Sequence, residues 1–165
     1  MTTVQSLFLL PLVTFCSLSA IADEGYKNFE ASVYTRVFEV IKMKNPEWLK
    51  STFEQIDQHL KIDKIYLETH RDMTVIDEEA LDPIISFFKK RGIKTAGGIT
   101  ITVSESNNFE TYCYSNKEHR KKLKQIVEMT ARHFDELILD DFFYTSCKCE
   151  KCIDAKGGSH HIRQF

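Results

Sequence analysis

The 165-residue sequence predicts an α/β fold, an incomplete (half) TIM (β/α)8 barrel with four parallel strands and three intervening helices. Three observations carry that expectation. Short β-branched runs alternate with stretches of helical apolar spacing and no hairpin signal separates them, so the strands should pair in parallel through right-handed crossovers. No glycine-rich phosphate loop follows the first strand, which argues against an open dinucleotide-binding sheet. Polar residues gather at the ends of the first, second and fourth strands: Glu39, then Glu68 with His70, then Asp140 with Asp141. Chemistry collected from several strand ends is the habit of barrels.

In chain order, residues 7–18 (LFLLPLVTFCSL) form an apolar block too short to span a bilayer comfortably. Ala20-Ile21-Ala22 follows with the small-x-small pattern of a signal peptidase site, so residues 1–22 read as a secretory signal peptide. The n-region lacks Lys and Arg, which leaves an uncleaved anchor as the alternative. Cleavage would give a secreted, extracellular chain with no membrane attachment. It would retain four of the five cysteines.

Residues 33–43 (VYTRVFEVIKM) are rich in β-branched and aromatic side chains and predict the first strand, with Glu39 near its end. Asn45-Pro46-Glu47 is a helix start, with a cap residue before a proline at the first helical position. Leu49, Phe53, Ile56 and Leu60 then recur at helical spacing. Residues 64–69 (KIYLET) predict the second strand, ending in the polar cluster Glu68-Thr69-His70-Arg71-Asp72. Asp77 should cap the next helix, through Leu81, Ile84, Phe87 and Phe88 to Gly92, with a kink at Pro83 or a restart at Asp82. Residues 94–103 (KTAGGITITV) predict the third strand, whose Gly97-Gly98 pair suits close approach of a neighbour or ligand. A loop over residues 104–114 carries Cys113. Ser115 and Glu118 have capping-box spacing, and Leu123, Ile126, Val127, Ala131 and Phe134 mark the buried stripe of the third helix.

The fourth strand, Leu137-Ile138-Leu139, stops at Asp140-Asp141, passes through Phe142, Phe143 and Tyr144, and enters a C-x-C-x-x-C cluster of Cys147, Cys149 and Cys152. A buried parallel strand reads as such a short apolar run, and carboxylates at its carboxyl end stand where barrels place their chemistry. A formal net charge of -2 carries no mark of a nucleic-acid binder.

The segments RVFEVIKM, IYLETHRD, KTAGGIT and FDELILDDFFYTSCKCEKC resemble the N-terminal half of secreted barrel-type glycoside hydrolases of fungi and gut bacteria, a family known chiefly by sequence. The resemblance covers residues 32–157 and defines a domain over 23–158, with residues 159–165 as an unmatched tail. It implies a carbohydrate substrate and a catalytic carboxylate at the end of the fourth strand. The cysteines are similar to the structural zinc site of the zinc-carrying bacterial β-galactosidases. Carried over by position, Cys113, Cys147, Cys149 and Cys152 would be the ligands. Four thiolates make a closed tetrahedral zinc site with no position for a catalytic water, so the zinc would be structural and no organic cofactor is implied. Disulfides are the alternative that secretion permits, although a one-residue gap strains a Cys147–Cys149 bridge.

Glycoside hydrolysis needs two carboxyls about the scissile bond. Asp140 shares a strand face with Ile138 and Phe142 and is the expected catalytic carboxylate, with Asp141 supporting it by hydrogen bonding; an Asp capping the next loop is the plainer alternative. Glu68 and His70, two apart, should look together into the barrel mouth as substrate-binding groups, with Arg71 pointing away toward an acid. Glu39 is a weaker substrate contact, and Tyr144 could offer a flat apolar face to a sugar ring. The tail after Gly157 carries no further strand, and four strands cannot close a barrel. Three readings follow: a truncated secreted glycoside hydrolase acting on a poly- or oligosaccharide and inactive alone, a half-barrel closed by homodimerisation, or a non-enzymatic carbohydrate-binding module stabilised by zinc.

Overall fold

The computed structural model describes residues 26–140 and 144–155. Strand β1 (Ser32–Thr35) leads into helices α1 (Val37–Lys42) and α2 (Pro46–Asp57), then β2 (Lys64–Arg71). A two-residue strand β3 (Thr74–Val75) and a 3-10 turn (Glu78–Ala80) precede α3 (Leu81–Lys89) and β4 (Lys94–Ile99). Strands β5 (Thr102–Ser104) and β6 (Glu110–Thr111) form a hairpin, followed by α4 (Lys117–His133), β7 (Leu137–Leu139) and α5 (Glu150–Ala155).

The four long-range strands pair in parallel in the order β1-β2-β4-β7. Sequence order without reversal is the winding of a barrel wall, whereas a doubly wound sheet turns back on itself. The expected partial barrel is therefore present. Its core lies between the sheet and the helices: Val37, Val40, Leu49, Ile65, Leu67, Leu81, Ile84 and Phe88 are buried in one cluster. Period-2 alternation sets which side chains of β2 join it: Ile65 and Leu67 face the helices and Tyr66 and Glu68 face the other way.

Several local expectations are corrected. The first strand ends at Thr35, and residues 37–42 are helical. Val37 and Val40, three apart, are fully buried on one helix face. Glu68 accepts the Val37 N–H at 2.7 Å, which satisfies a donor at the helix start that no local side chain caps. A tertiary carboxylate thus overrides the β-branched local bias. A hairpin does intervene after β2, turning through Asp72 and Met73 at φ 50° and 62°. Left-handed backbone at both turn residues matches a tight hairpin, but the Asp-Met pair lacks the glycine that would announce one.

The third strand is broken after Ile99, and β6 occupies part of the segment expected to be a loop. Pro83 kinks nothing, because α3 begins at Leu81 and the proline sits in the first turn, where its missing N–H is no loss. Asn116 caps α4 in place of Ser115, accepting from Glu118 and His119 N–H. Three helices become four between the parallel strands, since α1 and α2 share one crossover. Among the described residues no helix is long and apolar enough to cross a membrane. Residues 1–22, expected to be a signal peptide, lie outside the described residues.

Gly97 and Gly98 mark close approaches on opposite faces of β4. A Cβ on Gly97 would stand 2.6 Å from the Thr130 methyl of α4, and one on Gly98 would stand 2.7 Å from the Tyr34 hydroxyl. The neighbours are thus protein, one on each side of the sheet.

Candidate functional site

At the carboxyl ends of β1, β2 and β4 the open face of the sheet carries a polar network centred on Arg71. A register shift between Glu68 and His70 inserts one residue into β2, so Glu68 and Arg71 fall on the same face. Glu68, wholly buried, takes hydrogen bonds from the Val37 N–H, the Tyr34 hydroxyl at 2.7 Å, the Thr100 hydroxyl at 2.5 Å and Arg71 Nε at 3.0 Å. Arg71 Nη2 reaches Asp140 Oδ2 at 2.9 Å and Thr100 Oγ1 at 2.9 Å, while Nη1 binds Glu105. Arg36 Nη2 grips the other oxygen of Glu105 at 3.2 Å.

Three carboxylates against two guanidinium groups leave this cluster one negative charge in formal terms. Burial opposes the Arg71 charge, but Glu68 and then Glu105 outweigh it and hold Arg71 protonated well above its usual range. Tyr34 is raised beyond the ordinary phenol range, first by burial, and stays a donor to Glu68. The Thr100 hydroxyl lies 2.5 Å from Glu68 and 3.0 Å from Asp140 but owns one proton, so at any moment it donates to only one of them. Among the described residues no buried side-chain nitrogen or oxygen lacks a partner. The Asp140 side chain is 29% exposed and that of Glu105 22%, so these two acids face the mouth of the site while Glu68 lies beneath them.

The expected partnership of Glu68 with His70 does not form. The inserted residue turns His70 to the helix-covered side, where Nδ1–H donates to the Thr100 carbonyl at 2.6 Å and Nε2 lies 3.2 Å from the Tyr112 hydroxyl. Since a carbonyl only accepts, Nδ1 carries the proton. Burial lowers the His70 pKa, in keeping with a neutral core imidazole. Arg71, expected to point away, is instead the hub.

Glu39 sits in the first turn of α1, 43% exposed and 3.8 Å from Lys42, and takes no part in the Arg71 network. Tyr144 is 81% exposed. Asp141, Phe142 and Phe143 lie outside the described residues. The sequence reading missed Tyr34, Thr100 and Glu105. Thr100 was visible in principle, standing two residues beyond Gly98 on the same strand face, whereas Glu105 lay in an apparent loop with no local signal.

A second cluster lies beside the first. The Sγ atoms of Cys113, Cys147, Cys149 and Cys152 all lie within 4.8 Å of one another and could hold a metal ion. Cys113 is 3.8 Å from Cys149 and 3.5 Å from Cys152, far beyond a disulfide bond of about 2.05 Å. Thiolates about 2.3 Å from a tetrahedral metal stand about 3.8 Å apart, which fits these edges. Cys152 lies in the first turn of α5, and its N–H donates to the Cys149 carbonyl at 2.9 Å, giving the C-x-x-C turn its shape.

Cys152 is held down to about 6, first by the Ser115 hydroxyl and then by the neighbouring thiols. Cys147 is pushed up to about 12: the Cys149 N–H favours its thiolate, but burial and the three other sulfurs outweigh that. Four thiolates this close cannot all ionise without a cation among them, so the donor set fits a metal.

The fold and site together define a barrel-type α/β domain with its charged chemistry at the carboxyl ends of parallel strands. A family model described as the catalytic domain of a probable glycosyl hydrolase matches residues 18–163, and the chain belongs to that family. It is 31% identical over 132 residues to an uncharacterized protein of Saccharolobus solfataricus, a match covering 76% of this chain and 22% of that protein. The chain thus spans about a fifth of the length of that curated relative. No solved structure matches it.

Proposed function

We propose that the chain forms the first half of the catalytic barrel of a secreted glycoside hydrolase acting on a poly- or oligosaccharide, with Asp140 as a catalytic carboxylate. The observation that carries this reading is the seating of Asp140: the only described acid at the end of β7, part-exposed, and held by Arg71 and Thr100. A carboxylate clamped by a guanidinium is suited to serve as nucleophile or base, or to stabilise the oxocarbenium-like transition state, and ill suited to donate a proton. Glu105 is engaged by Arg71 and Arg36. The proton donor is then Asp141 or a carboxyl from the remainder of a longer protein.

Glu68 takes the role of a buried support in place of a substrate contact. The metal is zinc, bound by the four cysteines in a structural site, because an all-thiolate tetrahedron suits zinc and leaves no open position. An apolar groove of about 350 Å³ along β1, lined by Val33, Leu49, Phe53, Ile56, Ile62 and Ile65, is where the rest of the barrel packs. A second copy of this chain closing the ring is the competing occupant, and the two are told apart by sedimentation of the pure chain.

The test is Asp140→Asn in the chain supplied with the remainder of the barrel, assayed on a panel of polysaccharides and aryl glycosides, with sugar binding measured alongside. Hydrolysis should fall by roughly 10²- to 10⁴-fold while binding persists. The alternative is a carbohydrate-binding module without catalysis. That alternative gains if the unsubstituted chain binds a polysaccharide and, supplied with the remainder of the barrel, hydrolyses none.

A further inference from the structure

The two clusters share a support. Strands β5 and β6 pair at only two positions, Thr102 with Thr111 and Ser104 with Glu110, and the register is irregular between them. A two-stranded ribbon of this size is not stable by itself, so its place must be fixed from its ends. At the tip, Glu105 donates its N–H to Asp72 at 2.9 Å and lends its carboxylate to Arg71 and Arg36. At the base, Cys113 follows directly after Thr111 and Tyr112. The Ser146 N–H, one residue before Cys147, donates to Thr111 Oγ1 at 2.8 Å. The Tyr112 N–H bonds the Ile101 carbonyl at 3.2 Å. Its fully buried ring packs on His70, which holds the Thr100 carbonyl. The cysteines therefore join the base of the hairpin to the segment that follows β7, the strand that ends in Asp140.

We propose that a metal in the four-cysteine centre positions the carboxylate site: by closing the base of the β5–β6 hairpin against the segment after β7, it holds Glu105 and Thr100 in place around Arg71 and Asp140. This rests on the reading of the cysteines as a metal centre. Cys113, Cys147, Cys149 and Cys152 would be the ligands. The residues that transmit the constraint are Thr111, Tyr112 and His70. They are positioning residues, since none of them touches the open face.

Amide hydrogen exchange on the whole chain, loaded with Zn²⁺ and then stripped by a chelator, tests the proposal, with native mass spectrometry counting the metal. On metal loss the Glu105 and Tyr112 amides should exchange at least about tenfold faster, while the Leu67 amide of β2 stays protected. The same pattern is expected from Cys149→Ser, whose exposed position makes it the ligand least able to disturb the core. Metal loss with unchanged exchange at Glu105 and Tyr112 would overturn the positioning role and leave the metal centre standing. A uniform rise that includes Leu67 would also overturn it, since the metal would then hold the fold as a whole. Failure to take up any Zn²⁺ would remove both readings.

Discussion

The two faces of β2 put adjacent residues to opposite uses. Leu67, fully buried, points to the helices and joins Val40, Ile84 and Phe88 in an apolar core. Glu68, the next residue and equally buried, points to the open face and anchors Tyr34, Thr100, Arg71 and the start of α1. On one face burial is favourable and non-directional, so residues of similar size can stand in for one another. On the other, burial of charge is costly, and stability depends on each partner being present. Both faces keep the domain folded, the helix-covered one by filling space and the open one by matching each buried charge to its partners.

The contrast can be broken most sharply by Glu68→Ala, which leaves Arg71 in a buried setting without its main partner and uncaps α1. A loss of about 4 kcal/mol is expected in denaturant unfolding, and Glu68→Gln should recover only part of it. Leu67→Ala on the opposite face should cost about 3 kcal/mol through its cavity, with Leu67→Met nearly neutral. If Leu67→Met cost as much as Leu67→Ala, or Glu68→Gln recovered full stability, the distinction between a shape-filling face and a partner-specific face would fail.

The glycines sharpen the same comparison at smaller scale. Gly97→Ala drives a methyl against Thr130, Leu137 and Phe134 of the packed side and should cost about 2 kcal/mol. Gly98→Ala meets the far end of the Tyr34 side chain, which must shift to admit the methyl. The expected loss is about 1 kcal/mol, with the Tyr34–Glu68 hydrogen bond broken. Ultraviolet titration of the tyrosines gives a second readout, because a released Tyr34 would ionise closer to the ordinary phenol value of 10.0.

The smallest effect expected is that of acid. Burial lowers the pKa of His70 in the folded chain, so the unfolded chain takes up the proton first. His70 therefore lets the chain keep full stability above the ordinary imidazole value of 6.5 and weakens it as pH falls below that. His70→Asn can keep the donor to the Thr100 carbonyl without titrating. It should flatten the stability profile between about pH 7 and pH 5, as followed by urea unfolding at each pH.

The parallel α/β architecture and the strand that ends at Asp140 were legible because they rest on periodicity: apolar runs and helical stripes record which residues face a core. The cysteine cluster was legible because ligand count and spacing survive in the linear chain. Helix α1 was not, since its start is held by Glu68, 31 residues beyond Val37. The pairing of Glu68 with Arg71 was not either, because one inserted residue in β2 exchanges the faces of everything after it. By itself, then, the sequence determined the fold class, the acid at the end of β7 and the four-cysteine cluster. Only the tertiary structure decided that Arg71 is the hub, that Glu105 and Thr100 join it, and that His70 belongs to the core. Periodicity is a local property of the chain, whereas a buried charge is settled by whichever distant partners the folded backbone brings within hydrogen-bonding reach.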